Sequence, residues 1–385
     1  MTVSRLQGMA GIGVDQMGNL ADQLNNPEVL RLENLDTDLR PPQGVVEATQ
    51  QSAALDNANS YLPFMGANEL REAAAELVSH LSGVTYEWKN STITSAGGLN
   101  GILNVLLAIL EPGDEVVMPD PIYVGLINRV RLAGGVPVYI PYQIKDGLWK
   151  LDLDQLKHVI TPRTKVFLMM SPSMPAGAVL SREDWQALCE ACQRAGAWML
   201  YDSAMERILY DSVEHIHPAS FPGMSERTIT VGAVSKEYRM IGWRVGWIVA
   251  PPSIINDIGL VAISNVVCPV GIAQTAATIA LRAPDSDVAA ATHEWQSRRD
   301  VILEELAGYP IVKPQGGWSM LLDTSSFGLT GAELSKRLLE HGKIAATAMT
   351  GWGSKRSDYF IRFVFSNEPA ERLKGFRSRI EAALR

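Results

Sequence analysis

The feature that most limits how this chain can fold is an alternation. Short runs rich in apolar or β-branched residues at 91–94, 115–118, 135–140, 165–170, 198–201 and 228–231 are separated by stretches whose apolar residues recur at helical spacing. Unbroken apolar strands are buried on both faces, and helices between them return the chain so that successive strands run parallel. The predicted class is therefore α/β, a mostly parallel sheet flanked by helices. Ligands in such sheets collect beyond the carboxyl ends of the strands. After about residue 269 the pattern changes to a long helical stretch reaching about residue 306, then two strand-like segments and two helices, which predicts a smaller α+β domain. We divide the chain into residues 1–45 (an N-terminal arm with a short helix, and part of the small domain), 46–285 (the large domain) and 286–385 (the small C-terminal domain).

Composition removes some classes of function. With 385 residues, 46% of them hydrophobic, the chain can bury a large core. A net charge of −8 without a basic stripe argues against nucleic acid as a partner. The N-terminus lacks the pattern of a signal peptide, and the apolar run at 101–110 is too short to span a bilayer. Three cysteines suit a reducing cytosol, so we expect a cytoplasmic protein with no membrane partner. Cys189 and Cys192 form a C-x-x-C, but inside an amphipathic helix and without a second Cys/His pair. Zinc needs four ligands, so we expect no metal, and both thiols packed inside.

Four segments carry candidate chemistry. Gly97, Gly98 and Leu99 stand at a strand-to-helix turn, where glycines let an anion approach the first helical N–H groups; a plain tight turn explains them too. Asp202 ends a strand, where it either caps a turn or pairs with a protonated ring nitrogen. Ser235 and Lys236 follow another apolar strand, with Arg244 eight residues on in G-W-R-V-G-W. Burial lowers a lysine's pKa and frees its amine to attack a carbonyl, while an arginine forks onto a phosphate. Arg362 sits in the apolar strand Y-F-I-R-F-V-F-S and needs a carboxylate, either the protein's own or a substrate's.

Taken together, S-K-x7-R-x-G, the upstream aspartate strand, a P-x-G turn and the late R-F-x-F-S resemble the class I/II aminotransferases of pyridoxal-phosphate fold type I, over nearly the whole chain. The resemblance implies a seven-stranded type of sheet in the large domain and pyridoxal 5'-phosphate as cofactor. It implies Lys236 as the Schiff-base lysine and proton shuttle, and Asp202 as partner of the pyridinium nitrogen. Arg244, Gly97, Gly98, Leu99 and Ser235 would cradle the phosphate, and Tyr123 would stack on the ring. Arg362 would grip the substrate α-carboxylate. Tyr61 would reach the phosphate of a neighbouring subunit, which implies a homodimer with shared sites.

The departures from the family are concentrated at one place. The family's N-x-x-x-N-P-x-G turn here has Met170 and Met174 at both asparagine positions, and Met205 replaces a tyrosine three residues after the aspartate. Ala233 replaces a usual serine, and a glycine of the substrate loop is replaced around Leu35 and Asp36. Two usual donors to the cofactor's phenolic oxygen are thereby lost, while the lysine, the aspartate and both arginines remain. The expected activity is transfer of an amino group from an α-amino acid to a 2-oxo acid. The alternative is elimination, substitution, decarboxylation or carbon–carbon bond formation in the same fold. A third possibility, the effector-sensing part of a transcription regulator, needs an N-terminal DNA-binding domain for which the chain leaves no room. Trp318, Trp352, Tyr123 and the methionines suggest a roomy, polarisable pocket.

Overall fold

The computed structural model describes residues 11–385 and, ahead of them, residues 3, 6, 8 and 9; the remainder of the expected N-terminal arm lies outside the described residues. Eight strands form the main sheet: Thr92–Ser95 (β1), Glu115–Asp120 (β2), Val136–Lys145 (β3), Leu148–Leu151 (β4), Thr164–Met170 (β5), Trp198–Asp202 (β6), Thr228–Ala233 (β7) and Gly246–Val249 (β8). Their order is β1-β8-β7-β6-β5-β2-β3-β4. β7, β6, β5, β2 and β3 pair parallel. β8 lies antiparallel between β1 and β7. β4 folds back on β3 through a turn at Asp146 and Gly147, whose φ angles are 53° and 73°. All six apolar runs are strands, so the α/β expectation holds, but the sheet has one strand more than the family-type seven. β4 escaped the sequence reading because its hairpin with β3 reaches into solvent and is only partly buried. β8 escaped because its first two residues, Gly246 and Trp247, belong to the motif read for Arg244.

Alternating side chains of the central strands feed two separate cores. Phe167, Met169, Met199 and Tyr201 point to one, with Trp185 and Leu188 of the helix Arg182–Arg194. Val166, Leu168, Leu200 and Ile229 point to the other, with Ile102 and Val105 of the helix Gly98–Ile109. Helix Arg182–Arg194 starts at a capping box in which Ser181 Oγ accepts from Asp184 N at 3.2 Å and Asp184 Oδ2 accepts from Ser181 N at 2.8 Å.

The long helix expected to reach residue 306 is two helices, Gly271–Leu281 and Asp285–Glu305. Pro284 has no N–H to donate and bars Ala283 from helical geometry, so the first helix stops there. The second helix is a tie-rod. Its buried Arg298 holds Asp38 at 2.7 Å and Ser366 O at 2.8 Å, and Arg299 forks onto Asp211 at 2.8 and 3.0 Å. Three loops distant in sequence are thereby fastened to one element. Beyond it Ser319–Asp323 (β9), Thr347–Ala348 (β10) and Phe360–Val364 (β11) form an antiparallel sheet in the order β9-β11-β10. Leu30–Arg31 pairs parallel with Ile344–Ala345 beside this sheet. Among the described residues, no helix is long and apolar enough to cross a membrane.

Cys189 and Cys192 are buried on the inner face of helix Arg182–Arg194, as expected. Cys192 Sγ donates to Ala197 O at 3.2 Å, and burial pushes both thiols up to about 12. A thiol-titrating disulfide reagent at pH 8 should therefore label at most one cysteine, Cys268, in the folded protein, and all three in denaturant. Fast labelling of Cys189 or Cys192 in the native state would show that this core opens readily.

Candidate active site

The carboxyl ends of β5, β6 and β7 and the turn after β1 open on one cavity of about 300 Å³. At the β1 turn Gly97 has φ 86°, and a Cβ there would sit 2.4 Å from an Arg244 Nη atom. Only glycine meets both the conformation and the space. Gly98 and Leu99 begin the helix Gly98–Ile109 and line the cavity, while Gly97 stands behind them against Arg244. Arg244 adopts the left-handed conformation (φ 56°) and its Nη1 donates to Ile241 O at 2.8 Å and to Ser235 Oγ at 3.3 Å. Among the described residues no carboxylate pairs with it. Helix-terminal amides, a guanidinium without a carboxylate partner among the described residues and a hydroxyl make a cradle suited to a phosphate.

Asp202 ends β6 and is 5% exposed. Its Oδ1 accepts from Ala204 N at 3.1 Å, and burial lifts its carboxyl to about 6. It lacks a cationic partner in contact among the described residues. A buried carboxylate in that state is stabilised by a cation placed in the cavity.

Lys236 follows β7 by three residues. Its Nζ donates to Leu35 O at 2.8 Å and lies 5.1 Å from the ring centre of Trp318. Burial lowers this amine to about 7, with Arg362 and Arg244 pushing the same way and Asp36 opposing. Close to half of it is then neutral at neutral pH, and the neutral amine is the nucleophile.

Arg362 lies in β11, the central strand of the second sheet, at 1% exposure. Its Nη2 donates to Glu33 O, its Nη1 approaches Met174 Sδ at 3.5 Å, and the guanidinium lies 4.9 Å over Trp352. Nε has no partner, and among the described residues no carboxylate pairs with the guanidinium. The protein's own salt bridge, one of the two explanations open from sequence, is therefore not what holds this charge. Burial lowers the guanidinium to about 10.

Tyr123 lines the cavity and meets Trp352 edge-on at 5.3 Å. Met170, Met174, Met205 and Leu35 also line it, so the substituted positions do face the site. Trp318 and Trp352 do not: both are fully buried and back Lys236 and Arg362 from behind, which corrects the expectation that they shape the pocket's surface. Tyr61 is not in its own chain's cavity. It is 80% exposed, beside Cys268 and Gly271 on the outside. Sequence reasoning missed Ile12, Val14, Asp15 and Asn34, which also line the cavity. No local signal marked them, because the N-terminal segment reaches the site only through the tertiary fold.

Cradle, carboxylate, amine and lone guanidinium together fit pyridoxal 5'-phosphate with an amino acid beside it. Comparison with known proteins agrees. The family model described as aminotransferase class I and II matches residues 29–380. The arginine–pyruvate transaminase of Pseudomonas aeruginosa is 31% identical over 89% of this chain and 87% of its own length. The aspartate aminotransferase of Pyrococcus abyssi is 32% identical over 93% and 92%. The aspartate aminotransferase of Thermus thermophilus, solved with maleate, superposes with a TM-score of 0.91 at 30% identity, covering 100% of this chain and 99% of the other. From its sheet, its site and this kinship, the chain belongs to the class I and II aminotransferases, the pyridoxal-phosphate enzymes that transfer amino groups.

Proposed function

We propose that this chain moves the amino group of an α-amino acid to a 2-oxo acid, with Lys236 as the residue that holds pyridoxal 5'-phosphate covalently and carries the proton at the substrate α-carbon. The observation that supports this most is Arg362. A buried guanidinium without a carboxylate is costly, and a substrate α-carboxylate arriving there removes that cost while orienting the α-carbon. When bound, the cofactor supplies an electron-withdrawing ring that stabilises negative charge developing at that carbon. Arg244, Ser235 and the turn Gly97, Gly98 and Leu99 hold the phosphate. Asp202 would meet the protonated pyridine nitrogen, a cation that would keep its carboxyl charged. Tyr123, which lines the cavity, would cover a face of the ring, and Leu35 O steers the Lys236 amine through its hydrogen bond at 2.8 Å.

The rest of the reading is of the same kind. Tyr61, exposed on the outer surface, serves the phosphate of a second copy, so the active form is a homodimer. We place the protein in the cytoplasm, with small molecules as partners rather than nucleic acid or membranes. We divide the chain near residue 285, a reading supported by the helix break at Pro284. One observation favours the alternative chemistries of elimination, substitution, decarboxylation or carbon–carbon bond formation: Met174 and Met205 face the cavity where the family has donors. Stoichiometric formation of the 2-oxo acid from the amino donor separates transfer from these.

Lys236→Ala should remove the visible band of the covalently bound cofactor and reduce turnover to trace level; a normal band in this variant would sink the assignment. Because the amine titrates near 7, cofactor capture by the cofactor-free protein should speed up with rising pH and level off above about 7. A rate still climbing toward pH 10 would mean an ordinary exposed lysine.

A thioether cannot donate a hydrogen bond. With methionine at positions 174 and 205, which line the cavity, the protein would offer no donor there to the phenolic oxygen of the bound cofactor, and that oxygen would stay more basic. Met174→Asn with Met205→Tyr should therefore shift the pH transition of the visible band downward, by roughly one to two units per donor gained. An unchanged or higher transition would show that other donors already serve that oxygen.

Sedimentation should find a dimer, and Tyr61→Phe should weaken phosphate-dependent cofactor retention without splitting it. A monomer with full cofactor occupancy would contradict the shared site.

A further inference from the structure

We propose that Arg129 is a positioning residue for the cofactor, a single guanidinium that fixes the phosphate turn and the Tyr123 loop relative to each other. The inference rests on the cradle and the place of Tyr123 given under Proposed function, and adds what holds the two together. Arg129 lies in the helix Val124–Leu132, which begins immediately after Tyr123. Its Nε donates to Leu99 O at 2.8 Å, and its Nη1 donates to Gly125 O at 2.8 Å. Leu99 stands in the first turn of the helix Gly98–Ile109, which is part of the cradle. Gly125 is the residue against which the Tyr123 ring leans: a Cβ there would sit 2.4 Å from a ring carbon. One side chain thus joins the backbone of the phosphate turn to the backbone under the aromatic ring.

The two helices already pack through Ile102, Val105, Leu126 and Ile127. Such packing is non-directional and sets the separation of two helices better than their register. The bonds of Arg129 are directional. A helical side chain leans toward the helix N-terminus, which is why an arginine one turn after Gly125 meets it. The helices do not need these bonds for themselves. Both carbonyls lie inside helical turns, whose own N–H groups four residues on serve them. Among the described residues no carboxylate pairs with Arg129, so its charge is not neutralised locally. Burial lifts the Asp202 carboxyl, the Ala204 N–H opposes that rise, and Arg129 is the first of the cations that oppose it, ahead of Lys236. Arg129 likewise opposes the rise that burial causes in the Tyr123 phenol. Its field therefore reaches the site, although its side chain is not part of the cavity wall.

The test titrates the full-length cofactor-free protein with pyridoxal 5'-phosphate and, separately, with pyridoxal, which lacks the phosphate. The readouts are the two dissociation constants, the circular dichroism of the visible band per bound cofactor, and the melting temperature before cofactor is added. Arg129→Met should raise the constant for pyridoxal 5'-phosphate about 10-fold, and that for pyridoxal by a smaller factor. The ellipticity of the band should fall, because the ring would no longer be held at one angle to Tyr123. Arg129→Lys keeps the charge but cannot fork onto both carbonyls, so it should recover part of the affinity and little of the ellipticity. The melting temperature should change little in either variant, since both carbonyls keep their helical partners. An unchanged constant and ellipticity in Arg129→Met would overturn the inference, and a lower melting temperature beside them would make Arg129 a support of the fold alone. Equal losses for pyridoxal and pyridoxal 5'-phosphate would overturn it too. A wild type that binds pyridoxal as tightly as pyridoxal 5'-phosphate would instead overturn the cradle on which the inference rests.

Discussion

Three charged side chains share a cavity in which the protein has not neutralised them. Lys236 has only a backbone carbonyl as its hydrogen-bond acceptor, Arg362 has a carbonyl, a sulfur and an aromatic face, and Asp202 has one backbone N–H. Desolvated charges in this state are expensive, and the cost falls when ligands of opposite charge arrive. The arrangement is tolerable because the two sheets bear it jointly. Lys236 and Asp202 come from strand ends of the large sheet, and Arg362 comes from the middle strand of the second.

Immediately behind the cavity the opposite policy holds. Glu237, next to Lys236, is met by Arg207 at 2.8 Å, and Arg207 also donates to the Tyr238 hydroxyl at 2.7 Å. Arg239 forks onto Asp287 at 2.9 and 2.8 Å. His215 meets the buried Glu206 at 3.0 Å. These pairs flank the unpaired lysine on its own loop and on the loop after Asp202. Buried pairs contribute little net stability, but breaking one is costly, so they hold geometry. The lysine keeps its place because its neighbours are tied, not because it is tied itself.

Much of this was legible in the sequence. Runs of strand length are recognisable because a strand buried on both faces is rich in apolar or β-branched residues and poor in charge, and all six are strands. Glycine at position 97 is explained by its turn conformation and by the arginine pressed against it. Lys236 and Arg362 were readable as residues too polar for their apolar surroundings, Asp202 from its place at a strand end, and Arg244 from its place between glycines eight residues after the lysine. Other features were not legible. The hairpin strand Leu148–Leu151 buries only Trp149 and Leu151 and leaves no apolar run. The break at Pro284 was hidden because helical spacing continues on both sides of it. Trp318 and Trp352 have the composition of a pocket wall and the position of its backing.

The sequence by itself determined the class of fold and the set of chemical groups, because strand burial and the cost of isolated charges act locally and leave marks at each position. It also determined that methionine stands at positions 174 and 205, where a donor is impossible. Only the tertiary structure decided that no carboxylate among the described residues pairs with Arg362, that Leu35 O receives the lysine amine, and that Ile12, Val14 and Asp15 line the cavity. Those facts depend on segments separated by hundreds of residues meeting at one point, and no periodicity along the chain encodes which charge is left unpaired when they do.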